Sequence, residues 1–198
     1  MRAALVLCLC VLLSACGASL VSSPASGTRT APGSASGPRI SISDPPAIGT
    51  APGSHLPAFA CADASGGKTG VANVVAARAN EFSGYDRFVL QFDSAVPTYT
   101  VKRQASPVFP FGASGQTITL SGTAGVLVRV HSATGANTFT GSTDLTHAEY
   151  LVLTEARQTE DFEGYVSWGL GLSKAACMRV FTIPGPDRLV VDFTTATS

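Results

Sequence analysis

The sequence predicts an all-β fold: a single small β-sandwich of about nine short, mostly antiparallel strands. Two observations lead there. Short runs rich in Val, Phe, Tyr, Thr and Leu follow one another through residues 58–198, and several of them alternate apolar with polar residues. Gly- and Pro-containing turn signals separate the runs: Ser83-Gly84, Val96-Pro97, Gly112 to Gly115, Gly122, Gly135, Gly164 and Pro184-Gly185-Pro186. Strands at this spacing with such punctuation argue for a sandwich or barrel. A stretch of about 140 residues can bury one good core and is too short for two comfortable ones.

The elements follow in order. Val71–Arg78, Arg87–Asp93 and Tyr99–Arg103 come first, then Thr117–Leu120 and Val126–His131. Tyr150–Arg157, Tyr165–Leu172, Met178–Ile183 and Leu189–Phe193 close the chain. A single helical turn is expected near Thr143–Glu149, capped by Thr143 or Asp144. Alternation assigns faces. Phe88, Leu90 and Phe92 share one side, opposite Arg87, Gln91 and Asp93. Val126, Val128 and Val130 face inward, with Arg129 and His131 outward. Leu189, Val191 and Phe193 oppose Arg188 and Asp192. This is the pattern of antiparallel sheets with one wet face. Val166, Trp168, Leu170 and Leu172 also fall on one side, so the single tryptophan is expected in the core. Tyr165, Ser167, Gly169 and Gly171 take the other side. The two glycines there would let a flat ligand or another backbone approach.

The amino end has a different character. Arg2, an apolar run from Ala3 to Leu13 and then small residues make the plan of an export signal. The run is 11 residues, where a membrane-spanning helix needs roughly 20. Leu13-Ser14-Ala15-Cys16 resembles a bacterial lipobox. That resemblance implies cleavage after residue 15 and a diacylglycerol on Cys16. Two acyl chains would anchor the protein stably to a membrane, facing outward, where one chain holds only marginally. Residues 16–57 would then be a lipidated cysteine followed by a disordered Ser/Gly/Pro/Ala tether, since nothing in that stretch has a hydrophobic period. A flexible chain of about 40 residues has an r.m.s. reach near 35 Å. The expected organisation is therefore a signal peptide over 1–15, the tether over 16–57 and a folded domain over 58–198.

Five cysteines sort accordingly. Cys8 and Cys10 leave with the signal and Cys16 takes the lipid. Cys61 and Cys177 remain, and in an oxidising compartment a disulfide is expected between them, two separate buried thiols being the alternative. Thirteen basic residues balance thirteen acidic ones. A nucleic-acid partner, which needs a basic surface, is thus not expected.

Two segments echo each other. Gly84-Tyr85-Asp86-Arg87-Phe88-Val89-Leu90-Gln91-Phe92 reads like Gly185-Pro186-Asp187-Arg188-Leu189-Val190-Val191-Asp192-Phe193. Any turn followed by a core strand can look so, since Asp suits turns and alternate apolar residues suit strands. The sharper reading is two structurally equivalent strands. The blocks GYDRFVLQFD…VPTYTVKR, DFEGYVSWGLGL and FTIPGPDRLVVDF, in this order, resemble the AMIN-like domain of bacterial lipoproteins over most of residues 70–194. That family is a relative of the AMIN domain of cell-wall amidases and pilus secretins. The resemblance implies a small β-sandwich in the cell envelope. The AMIN relatives are implicated in binding peptidoglycan or in targeting their host protein to it, and no chemistry attaches to the AMIN-like lipoproteins. No amidase or secretin module accompanies the domain in these 198 residues.

Catalytic motifs fail one by one. There is no Gly-x-Ser-x-Gly elbow. Gly67-Lys68-Thr69 matches the end of a phosphate loop, but Ala62 stands where the earlier glycine is required. His55, His131 and His147 are scattered, without metal-site spacing. Glu160-Asp161-Phe162-Glu163 could supply two carboxyls for acid–base work, or could be a charged turn between strands, which is the simpler reading. No enzymatic activity, cofactor or metal is expected. Candidate ligand-binding residues are Tyr85 in a turn, Arg87 and Arg188 at matched positions, and Tyr165 with Ser167. The arginines could grip wall carboxylates by paired hydrogen bonds or each pair with a local Asp. The function expected is that of a cell-envelope lipoprotein with a non-catalytic domain that contacts peptidoglycan or another wall component. The alternative is an adaptor that docks an envelope protein, for instance by adding a strand to a sheet edge.

Overall fold

A computed structural model describes residues 56–196. The chain divides into two units, residues 1–50 and 51–198, and the described residues lie in the second. The expected signal peptide, Cys8, Cys10, Cys16, His55 and nearly all of the expected tether lie outside the described residues.

The polypeptide forms an all-β sandwich. The strands are β1 (Ala64–Gly66), β2 (Ala72–Phe82), β3 (Tyr85–Phe92), β4 (Tyr99–Gln104), β5 (Val108–Phe111), β6 (Gln116–Thr119) and β7 (Ala124–His131). They continue as β8 (Ala133–Thr134), β9 (Asp144–Thr146), β10 (Leu153–Phe162), β11 (Tyr165–Leu172), β12 (Met178–Ile183) and β13 (Arg188–Thr194). One sheet has the order β1-β4-β7-β11-β10-β9 and the facing sheet β12-β13-β3-β2-β8. A separate hairpin, β5-β6, is joined by a short 3₁₀ turn at Gly112–Ser114. Every named pair is antiparallel except β2 with β8.

All nine expected strands occur, and β1, β5, β8 and β9 are additional, none longer than four residues. The expected helical turn near Thr143–Glu149 is overturned. Asp144–Thr146 is instead the edge strand β9, in register with β10 from Thr146↔Glu155 to Asp144↔Arg157. Pairing there packs Leu145 against the core and sets Arg157 3.3 Å from Asp144. A lone helical turn could offer neither, and short helices are marginal without tertiary support. The strand expected from Tyr150 begins only at Leu153. The backbone N–H groups of Val152 and Leu153 donate to the buried Asp86 carboxylate at 2.6 and 2.9 Å. A side chain thus satisfies the donors that strand pairing would otherwise use.

The core lies between the two sheets, on the faces that alternation assigns inward. Phe88, Leu90 and Phe92 of β3 meet Leu189, Val191 and Phe193 of β13 from one layer, and Val126, Val128 and Val130 of β7 from the other. Trp168 is fully buried against Phe88 and Phe139, with ring centroids 5.4 and 5.9 Å away. Burial of one such ring stabilises by about 2–3 kcal/mol relative to exposure. The β10–β11 turn is Glu163-Gly164, both with positive φ (49° and 77°), which suits the twist of a two-residue hairpin.

Cys61 and Cys177 form a disulfide across a sequence separation of 116 residues. Beside it, Ala60 and Met178 exchange backbone hydrogen bonds of 2.8 and 3.0 Å. The segment entering the domain is therefore sewn to the edge of β12.

Candidate functional site

The sequence candidates fall on opposite outer faces of the sandwich. Tyr85, Arg87 and Arg188 lie on the outside of the five-stranded sheet. Tyr165 and Ser167 lie on the outside of the six-stranded sheet. The two groups do not meet in one concavity.

On the five-stranded sheet the echoed segments are neighbours. β3 and β13 pair antiparallel with Val89 opposite Val190, so Arg87 faces Asp192 and Arg188 faces Gln91. Arg87 donates from Nε and Nη2 to the two Asp192 oxygens at 2.6 and 2.9 Å. Arg179 of β12 donates from Nε to Oδ2 at 2.7 Å. Asp192 is fully buried beneath them, and the Arg87 and Arg179 side chains are only 18 % and 12 % exposed. The hydrogen bond to Asp192 holds the Arg87 guanidinium above its ordinary value. Aromatic rings complete the layer. Arg87 lies 5.1 Å from the Phe82 ring centroid and 5.2 Å from that of Tyr85, and Phe82 stacks on Tyr85 at 5.0 Å. Arg179 lies 4.5 Å from Phe59 and 4.6 Å from Tyr85. Arg87 is thus committed to an internal ion pair. Arg188 turns back to the Pro186 carbonyl at 3.1 Å, and the Gln91 side-chain oxygen accepts from Arg78 at 2.8 Å.

The six-stranded sheet is more open. The Arg129 guanidinium of β7 sits 4.3 Å from the Tyr165 ring centroid, and the His131 ring 4.7 Å from it. Arg129 reaches Glu160 of β10 at 3.1 Å, and the Ser167 hydroxyl donates to the same carboxylate at 2.8 Å. Thr98, Tyr99 and Thr100 close a cleft of about 160 Å³ around Arg129, His131 and Tyr165. Tyr99 is in register with the inward Val130, so its ring lies in the core, where burial raises the phenol above its ordinary value. Sequence reasoning found Tyr165 and Ser167 and noted the outward side of Arg129 and His131, but it did not join these to Glu160. That partner comes from a strand next in space, in a register that a bulge between Gln158 and Glu160 sets.

The glycines of this face receive protein. Phe109 of the β5-β6 hairpin lies over Gly125 and Gly169, where an added Cβ would sit 2.7 Å from a ring carbon at either position. The Ser121 carbonyl and Leu120 occupy the space above Gly171. Of the two expected approaches, the structure has another stretch of chain.

Glu160 and Asp161 do not face a common bond. Glu160 is opposite Ser167 on the outer side, while Asp161 is opposite Val166. Asp161 accepts from the Thr134 hydroxyl and the Gly135 N–H, both at 2.9 Å. Among the described residues no three His, Cys, Asp or Glu side chains gather as a metal-binding group, and no helix is long and apolar enough to cross a membrane.

Comparison with curated proteins gives no match. The AMIN-like domain matches residues 72–195, from the first residue of β2 to just past the end of β13. The match takes in all three sequence blocks, and the chain belongs to the AMIN-like domain family.

Proposed function

We propose that this protein is a cell-envelope lipoprotein whose sandwich binds a cell-wall component, peptidoglycan in the first instance, without catalysing a reaction. The family match over residues 72–195 is the observation that carries the reading. The Cys61–Cys177 disulfide supports an oxidising, extracytoplasmic compartment. The lipobox-like Leu13-Ser14-Ala15-Cys16 supports an anchor, and the Ser/Gly/Pro-rich stretch after it supports a spacer between membrane and wall.

Within the sandwich we assign binding to the outer face of the six-stranded sheet at Tyr165 and Ser167. On the other sheet Arg87 and Arg179 are already occupied by Asp192, and Arg188 bonds the Pro186 carbonyl. At this cleft the phenol of Tyr165 meets a partly exposed guanidinium, an imidazole and threonine hydroxyls. Such a set offers hydrogen-bond donors and acceptors to a polar ligand.

Co-sedimentation of the full chain with purified peptidoglycan tests the reading. Binding is expected in the pellet and is expected to fall in Tyr165→Ala. Complete absence from the pellet at low salt would overturn it. The anchor has its own measurement: intact mass of the membrane-extracted protein should show cleavage before Cys16 and a diacylglycerol adduct, both missing in Cys16→Ala.

A further inference from the structure

The Tyr165 cleft does not end at Arg129. A second cleft of about 70 Å³ shares Arg129 with it and continues over Leu127, Ser167, Thr159 and Glu160. A third, of about 430 Å³, shares Gly112, Thr159 and Glu160 with the second and opens between Phe111 and Phe162. The three form one groove crossing the strands from β4 over β7 and β11 to β10. Three interstrand spacings make it about 14 Å long. The tip of the β5-β6 hairpin, Pro110 to Ala113, forms one wall.

Its chemistry is specific in three respects. Aromatic rings line it: Tyr165 of β11, its cross-strand partner Phe162 of β10, and Phe111 of the hairpin, the two phenylalanines 51 % and 38 % exposed. The middle is balanced in charge, because Arg129 meets Glu160. And Thr159, the extra residue of the β10 bulge, is 3 % exposed, with a hydroxyl that has no hydrogen-bond partner among the described residues. A buried hydroxyl without a partner costs about 1–3 kcal/mol. A ligand lying along the groove would supply that partner.

Resting on the wall-binding reading, we propose that this groove takes the glycan strand of the wall, an N-acetylated sugar polymer laid across the β-strands, and not the stem peptide. The groove crosses the middle of a sheet, where the backbone N–H and C=O groups are already used in the ladders. An extended peptide is recognised by main-chain hydrogen bonds at a free edge, and over β4, β7 and β11 it would find none; only the part of β10 past Arg157, where β9 ends, has an open edge. Sugar hydroxyls and acetamido groups bond to side chains, and the apolar faces of sugar rings stack on aromatic rings. The Arg129–Glu160 pair leaves no net charge to hold a polyanionic wall polymer.

The test uses the full chain with three probes: intact peptidoglycan, glycan strands freed of peptide by amidase digestion, and the released stem peptides. The proposal expects binding to the first two and not to the third. It expects Phe111→Ala and Phe162→Ala, both exposed and remote from the core, each to weaken glycan binding roughly two- to tenfold. Thr159→Val keeps the shape and removes the hydroxyl, and should weaken binding without lowering the melting temperature. Binding to intact wall and stem peptide but not to free glycan would overturn the glycan assignment and leave wall binding standing. Glycan binding unchanged in all three variants would overturn the groove. No binding to any probe would overturn both readings.

Discussion

Asp192 shows how one residue can be read correctly for side and wrongly for environment. Alternation places it outward with Arg188, and an Asp on the outer face of a strand is ordinarily solvated. In the folded chain it is fully buried, because Arg87 and Arg179 converge on it from the strands on either side. The long arginine stems cover apolar sheet surface while their heads share one carboxylate. Removing the charge strands two partly buried guanidiniums against aromatic rings. Asp192→Asn should therefore destabilise by about 3 kcal/mol, as for other broken buried pairs, measured by urea unfolding. Arg87→Lys should cost less but still measurably, because an ammonium cannot reproduce the two parallel bonds at 2.6 and 2.9 Å. A loss under about 0.5 kcal/mol for Asp192→Asn, typical of surface substitutions, would show the cluster to be ornamental. The same residue scale separates Trp168 from Tyr165. Both were legible from period two alone, since each lies on a strand whose two faces differ sharply in polarity.

Elements carry the next level of information. The echo between residues 84–92 and 185–193 becomes a local two-fold relation between adjacent strands, centred on Val89 opposite Val190. It brings Arg87 against Asp192 and Arg188 against Gln91, so the two halves differ by one ion pair. The repeat was visible in the sequence, whereas adjacency was not, because about a hundred residues intervene. The β5-β6 hairpin is the larger surprise. Only Thr117–Leu120 was expected as a strand there. Its partner, Val108–Phe111, includes Pro110, which period-two reasoning discounts. Yet this hairpin decides what Gly125 and Gly169 are for. Gly169→Ala should push Phe109 off the sheet at a cost of about 1–3 kcal/mol. Phe109→Ala should cost about 3–5 kcal/mol through the cavity it leaves. Because the new methyl would enter the vacated space, the double variant should be less destabilised than the sum of the singles, by about 1 kcal/mol. Additive losses in thermal unfolding would show that the glycine and the ring do not complement each other.

At the scale of the whole molecule, the two sheets are bound by a core and one long-range covalent link. The Cys61–Cys177 bond spans 116 residues, and the chain-entropy description gives about 4–5 kcal/mol for a loop of that size as an upper value. The double variant Cys61→Ala/Cys177→Ala should unfold at markedly lower denaturant, and amide exchange at Ala60 and Met178 should accelerate in it. If stability and exchange were unchanged, the bond would be incidental to the domain. Its position gives it a further consequence in the proposed envelope setting: a pull on the incoming chain would be borne at the edge of β12 and not by Phe59 and its neighbours alone.

The all-β class, the nine main strands, the inward residues and the cysteine pair were legible in the order of amino acids. Each rests on chemistry local to a few residues: period-two burial, turn-forming Gly and Pro, and the redox habit of an exported pair. The position of the candidate site was not legible in the same way. Alternation says which side of its own strand a residue takes, but it does not say what lies over that side. Gly169 is covered by a hairpin, Asp192 by two arginines, and Thr143–Glu149 gives up a helical turn for an edge pairing, each through contacts distant in sequence. Tyr165 and Arg87 therefore part company only when the two sheets close face to face, since that packing buries one side of each strand and leaves the remaining sides pointing in opposite directions.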